Sequence, residues 1–182
     1  MNTNNVKIRN AHINDIDQLL KIEHSSFSKN ICEDKEIFID RIKTFSDGFL
    51  LAEYNGQLIG YICSEIWLYN DKLKEDSFLL NHSIKESHNI NGDELYISSF
   101  AILPSARKYG IGKMLFNSLI DNVHNLIKNP KSLLLIVSEN WTTARNIYIN
   151  KGFIEVCKLN DFFDYDDIEP FKADGIVMRK LL

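Results

Sequence analysis

The segment from Leu95 to Leu126 constrains the fold of this chain more than any other. A β-prone stretch, Leu95 to Leu103, meets Pro104, passes through a glycine-bearing turn and enters an amphipathic helix. Proline cannot donate to a sheet ladder, so it closes the strand. Leu115, Leu119, Val123 and Leu126 recur at intervals of three and four and lay one apolar stripe along the helix. A strand followed at once by a helix that must bury one face is a unit of α/β architecture.

The flanking chain extends that unit. Val6-Lys7-Ile8-Arg9 alternates apolar and polar, as a half-buried strand does. Asn14 opens a helix, with Asp17 three residues later resembling a capping box and Ile16, Leu19, Leu20 and Phe27 on its apolar side. A second helix, roughly Glu33 to Lys43, carries Ile37, Phe38 and Ile42. Phe49 to Tyr54 and Gln57 to Trp67 flank Asn55-Gly56, the strongest short-range signal for a tight hairpin. The aliphatic run Leu133 to Val137 reads as a buried strand. A shorter helix, Trp141 to Asn150, and two closing strands, Phe153 to Cys157 and Gly175 to Lys180, complete the order β-α-α-β-β-β-α-β-α-β-β. This predicts an α/β fold with a mixed sheet, as a single domain over residues 1–182. Residues 70–93 are polar and irregular, with a short helix around Phe78 to Lys85, and read as a surface insertion or mobile flap.

Composition removes several classes of function. Lys and Arg number 21 against 25 Asp and Glu, a net charge of −4, which argues against a protein held on nucleic acid by phosphate neutralisation. The longest aliphatic run is far short of the ~20 residues of a membrane span. The polar start, Met1-Asn2-Thr3-Asn4-Asn5, lacks the apolar stretch of a signal peptide, so the expected setting is cytoplasmic, with no membrane partner. Cys32, Cys63 and Cys157 are odd in number and far apart, and indicate neither a disulfide framework nor a zinc site. His82 and His88 match no metal-ligand spacing and read as surface histidines, so no metal is expected.

The chemistry is concentrated in Arg107-Lys108-Tyr109-Gly110-Ile111-Gly112, between strand and helix. Successive backbone N–H groups in such a turn make an anion cradle, and glycines allow close approach. The helix N-terminus adds roughly half a positive charge aimed at the same point, and Arg107 and Lys108 add two full ones. This is the chemistry of a pyrophosphate site. A dinucleotide fingerprint needs a glycine where Arg107 stands, and no Gly-Lys-Ser/Thr follows as in a P-loop.

The stretch from Ser99 through Ile102-Leu103-Pro104 and Arg107 to Leu115 resembles motif A of the GNAT superfamily of acyl-CoA-dependent N-acyltransferases. That motif is Arg/Gln-x-x-Gly-x-Gly/Ala after a strand ending in aliphatic-x-Pro. Ile8-Arg9-Asn10-Ala11 running into Asp15-Ile16 is similar to the family's first strand and helix. Asn140 through Phe153, with Ala144, Tyr148 and Gly152-Phe153, is similar to its Tyr-x-x-x-Gly-Phe motif. The tail Asp174 to Met178 is similar to the last strand of the ribosomal-protein alanine N-acetyltransferases.

The resemblance implies a mixed, mostly antiparallel sheet flanked by helices and splayed between the fourth and fifth strands. It implies acetyl-CoA as co-substrate, with the backbone of Ala101, Ile102 and Leu103 pairing with the pantetheine arm. Amides from Arg107 to Lys113 (Arg107, Lys108, Tyr109, Gly110, Ile111, Gly112 and Lys113) would hold the pyrophosphate, with Asn140 counted in the same set. It implies an amine-bearing small molecule or peptide as acceptor, and a monomer or homodimer. Tyr148 occupies the position of the family's general acid, and a phenol is protonated at neutral pH.

The general base stays open. The alanine-acetyltransferase type carries a glutamate where this chain has Ile136, and an asparagine where it has Trp141. Glu94, which shares a strand face with Tyr96 and Ser98 by period two, is the candidate, with Glu139 or a water relay as alternatives. Trp67 either lines the acceptor cleft or closes the core. Asp161, Asp164, Asp166, Asp167 and Glu169 form an acidic stretch without Lys or Arg, expected as a loop that attracts a cationic amine. A non-catalytic acyl-CoA-binding module is the alternative function.

Overall fold

The computed structural model describes residues 1–165 and 171–182. Its strands are β1 (Val6–Asn10), β2 (Phe49–Tyr54), β3 (Gln57–Trp67), β4 (Glu94–Ile102), β5 (Ser132–Ser138), β6 (Ile154–Asp164) and β7 (Lys172–Leu181). The helices are α1 (Ile16–Ser26), α2 (Lys35–Phe45), the short α3 (Ile84–Ser87), α4 (Ile111–Asp121), α5 (Val123–Leu126) and α6 (Thr142–Asn150). The strands form one sheet in the order β1-β2-β3-β4-β5-β7-β6. All neighbours are antiparallel except β4 and β5.

Local sequence explains the boundaries. Asn55 and Gly56 both have positive φ, 51° and 77°, the conformation a two-residue turn between right-twisted strands requires. At the start of α1 the capping carboxylate is Asp15 rather than Asp17: Asp15 Oδ2 accepts the His12 N–H at 2.8 Å, and both its oxygens take the Arg9 guanidinium at 2.8 Å. The single long helix expected after the glycine turn is two. It breaks at Asn122, whose carbonyl accepts from Asn125 and Leu126 N–H, as asparagine's affinity for helix ends favours.

The sheet's two faces are covered separately. Leu115 and Leu119 of α4 pack with Leu95, Ile97, Leu133 and Leu135 of the sheet, while Leu19 and Ile22 of α1 and Phe38 of α2 pack with Phe49, Tyr61 and Ala101. Residues 70–93 lie on the surface, most of them exposed, and are tied to the sheet by the buried side chains of Phe78 and Ile84.

The splay expected between β4 and β5 is present. Their parallel pairing covers four positions, Glu94↔Ser132 to Ile97↔Leu135. Beyond Ile97, β4 continues on β3 alone, and beyond Leu135, β5 continues on β7 alone.

Candidate active site

A cleft of about 790 Å³ opens where β4 and β5 part. Leu103 N–H bonds to Ile59 on the β3 side, so by antiparallel alternation Ala101 also faces β3, while Ile102 and Phe100 turn their main chain to the gap. Of the three residues expected to offer backbone to a ligand, Ile102 is the one so placed. Its carbonyl takes Arg107 Nε at 3.1 Å.

The glycine turn closes one end of the cleft. Gly110 caps α4 at φ 78° without a side-chain hydrogen bond, so the first amides of the helix have no capping acceptor. A Cβ on Gly110 would meet nothing within 4 Å, so open space lies in front of these amides. Lys108 shares the left-handed conformation, at φ 70°. Arg107, Gly112 and Lys113 line the cleft, as do Ala101, Ile102 and Asn140. Lys108 and Tyr109 are exposed and do not line the cleft, and Ile111 is buried in the core.

Tyr148 on α6 lines the same cleft. Its ring is held 5.9 Å from Phe116 and 5.9 Å from Phe153, and burial pushes its phenol above the usual range, keeping it protonated.

Glu94 is elsewhere, which corrects its assignment as base. Its carboxylate sits at the closed end of the β4–β5 pair, bonded to Ser132 Oγ at 2.7 Å and Arg179 Nε at 2.7 Å.

The other end of the cleft is apolar, walled by Phe27 and Ile31 before α2, Phe78 and Leu80 from the 70–93 segment, and Phe162 and Phe163 on β6. Beneath it lies a buried charge cluster that no motif announced. Arg41 on α2 binds both oxygens of Glu33, and its Nε lies 3.6 Å from Glu65 Oε1. Glu65 accepts from Trp67 Nε1 at 3.1 Å and from His82 Nε2 at 2.8 Å. The other nitrogen of His82 lies 2.9 Å from the Leu79 carbonyl, so both ring nitrogens face acceptors, the arrangement of an imidazolium. Burial alone lowers the His82 pKa, but Glu65 outweighs it and holds it above the usual value. His82 is therefore not a surface residue. His88 is half-buried too, its ring tilted against Phe45 with centroids 4.7 Å apart. Trp67 stacks on Tyr96 at 4.0 Å and closes the core below the cleft.

The acidic stretch differs from the loop expected. Asp161 and Asp164 lie on β6, and the Asp161 N–H bonds to Asp174 at 2.8 Å. Asp166, Asp167 and Glu169 lie outside the described residues. Among the described residues no helix is long and apolar enough to cross a membrane, and no three His, Cys, Asp or Glu are grouped to hold a metal.

A splayed mixed sheet, an uncapped helix N-terminus beside the gap and a buried phenol lining it are the features an acyltransferase would need. Residues 13–153 match the acetyltransferase (GNAT) family, and the chain belongs to it. It is 28% identical over 157 residues to an N-alpha-acetyltransferase of Sulfurisphaera tokodaii, covering 86% of this chain and 85% of that one. Its fold is similar to that of the ribosomal-protein-S18-alanine N-acetyltransferase from Escherichia coli, at TM-score 0.71 and 16% identity over 97% of this chain and 93% of the other. It is also similar to Chaetomium thermophilum Naa20 in complex with a bisubstrate analogue, at TM-score 0.74 and 19% identity over 97% and 86%. The protein is an N-acetyltransferase by family, and these two likenesses speak for its fold.

Proposed function

We propose that this protein transfers the acetyl group of acetyl-CoA to the α-amine of a peptide or protein N-terminus. One observation carries the reading: a single cleft joins the uncapped amides of α4, the Tyr148 phenol and an apolar chamber. The amides of Ile111, Gly112 and Lys113, with Arg107 and Lys113 beside them, suit a pyrophosphate, and the open space at Gly110 lets it approach. Acetyl-CoA, when bound, supplies an activated thioester. Ile102 and Phe100 orient its arm by main-chain bonds, and Tyr148 supplies a proton to the departing sulfur. The apolar chamber of Phe27, Ile31, Phe78 and Phe163 suits a peptide with an apolar first side chain better than a polyamine. Its relatives' N-alpha-acetyltransferase activity points the same way.

The test is a library of peptides with free amino termini, incubated with acetyl-CoA. Thiol release should accompany acetylation of the α-amine by mass spectrometry, with apolar first residues preferred. Tight acetyl-CoA binding without turnover on any amine would instead mark a binding module.

A further inference from the structure

A chain of hydroxyls leads from the cleft into the core between α1 and the sheet. Ser99 on β4 lines the cleft, and its Oγ lies 2.7 Å from the Tyr61 Oη on β3. Tyr61 is fully buried against Phe38 and Phe49 and bonds to Oε2 of Glu23 on α1, itself 1% exposed. The other Glu23 oxygen accepts the Glu33 N–H at 2.9 Å. The Ser98 bulge makes the chain possible. Simple alternation would put Ser99 on the same face as Leu95 and Ile97, under α4, and the extra residue turns it towards α1.

The donors in this chain are ordered. An ionised Glu23 only accepts, so Tyr61 donates to it and Ser99 donates to Tyr61, which leaves a Ser99 lone pair facing the cleft. Protonating Glu23 reverses both bonds and turns the Ser99 hydrogen outward. Among the described residues no Lys or Arg is ion-paired with Glu23, because Arg41 is committed to Glu33. Burial, opposed by the bonds from Tyr61 and the Glu33 amide, pushes the Glu23 carboxyl up to about 7. The Glu33 charge adds to the rise and the Arg41 charge on α2 opposes it. The nearby Cys32 thiol is itself pushed up to about 11 and stays neutral.

We propose that Ser99, Tyr61 and Glu23 form a proton relay that takes a proton from the ammonium group of the acceptor, with Ser99 touching the amine and Glu23 acting through it as the proton store. The inference rests on the acyl-transfer reading above. One N–H bond of the ammonium breaks and its proton passes to Ser99 Oγ. The Ser99 proton passes to Tyr61, and the Tyr61 proton to Glu23 Oε2. The lone pair left on nitrogen forms the new bond to the acyl carbon as the carbon–sulfur bond breaks; Tyr148 gives its proton to the sulfur, and the second proton lost from the nitrogen restores the Tyr148 phenol. Glu23 then returns its proton along the chain to solvent, so one proton is released per amide formed. A peptide α-amine titrates at about 7.7–8.0, close enough to the store for the transfer to be easy in both directions.

Glu23→Gln keeps both bonds, accepting from the Glu33 amide and donating to Tyr61, while abolishing the store. On a peptide that the wild type acetylates, kcat/KM at neutral pH should fall about 100-fold. The acidic limb of its pH profile, near pH 7 in the wild type, should move up to the free amine's own value, about 8. Acetyl-CoA affinity and Tm should hardly change, whereas a purely structural role would lower Tm and leave the limb in place. Tyr61→Phe, which cuts the chain but keeps Glu23, should move the limb in the same way. Infrared difference spectra of the wild type, which need no turnover, should show a carboxyl C=O band titrating near pH 7. Unchanged rate and limb in both variants, or no carboxyl titrating in that range, overturns the relay. A wild type inert on every amine while the carboxyl still titrates overturns the acyl-transfer reading instead.

Discussion

Arg179 on β7 reaches across β5 to Glu94 on β4, with Nε 2.7 Å from Oε1 and Nη2 3.2 Å from Oε2. Ser132, at the start of β5 between them, donates to the same Oε1. The pair is almost wholly buried and sits at the end of the sheet where β4 and β5 are still joined. It staples three strands where the splay begins to need an anchor.

Glu94→Ala should therefore act on stability. It leaves a buried guanidinium without its counter-charge, a loss of about 3–5 kcal/mol. Urea denaturation should show that loss, while the kcat of the folded fraction stays near wild type. A variant as stable as wild type but inactive would return Glu94 to the chemistry.

Tyr148→Phe should lower kcat by about 10²- to 10⁴-fold with little change in acetyl-CoA affinity. The substitution keeps the ring and its contacts with Phe116 and Phe153, so Tm should barely move. Steady-state kinetics with calorimetric binding separates the two effects.

Gly110→Val places a branched side chain at φ 78°, in the open space before the α4 amides. The strain costs about 1–2 kcal/mol. Loss of one charge-assisted hydrogen bond to a phosphate is worth about 1.5–3 kcal/mol, so acetyl-CoA affinity should fall roughly 10- to 100-fold. Calorimetry on the folded variant is the check, and undiminished affinity would move the anion site elsewhere.

His82→Gln tests the buried charge cluster through pH. The folded pKa of His82 lies above its ordinary value of 6.5, so its contribution to stability is complete below 6.5 and is lost as pH rises through the folded value. The variant should be about 1.5–3 kcal/mol less stable than wild type at acidic pH, the worth of a hydrogen bond to a charged group. That gap should narrow in alkaline solution. Denaturation curves on both sides of the transition decide it, and a gap independent of pH would show that His82 is neutral.

The fold was legible wherever it depended on local pattern. Asn55-Gly56, the aliphatic run of β5 and the strand–Pro–Gly-turn–helix unit each impose a conformation through near neighbours in sequence. The α6 motif placed Tyr148 in the cleft for the same reason. The buried polar groups were not legible, because their partners are distant: Tyr61 lies 38 residues from both Glu23 and Ser99, and Arg179 lies 85 from Glu94. Period two along β4 sets the face of Glu94 but not its distance from the cleft, which opens only beyond Ile97. In residues 70–93 the polarity marks an exposed surface, while the few apolar side chains that fasten them, Phe78 and Ile84, follow no period that would announce it.

The early end of the β4–β5 ladder bears on descent as well as on chemistry. Main-chain groups at Phe100 and Ile102 are the same whatever side chains stand there, so recognition built on them passes unaltered through generations of substitution. The apolar chamber is made of side chains from three separate stretches, and each replacement there redraws it. A ligand held by main chain is indifferent to such replacements, and one held by the chamber is not.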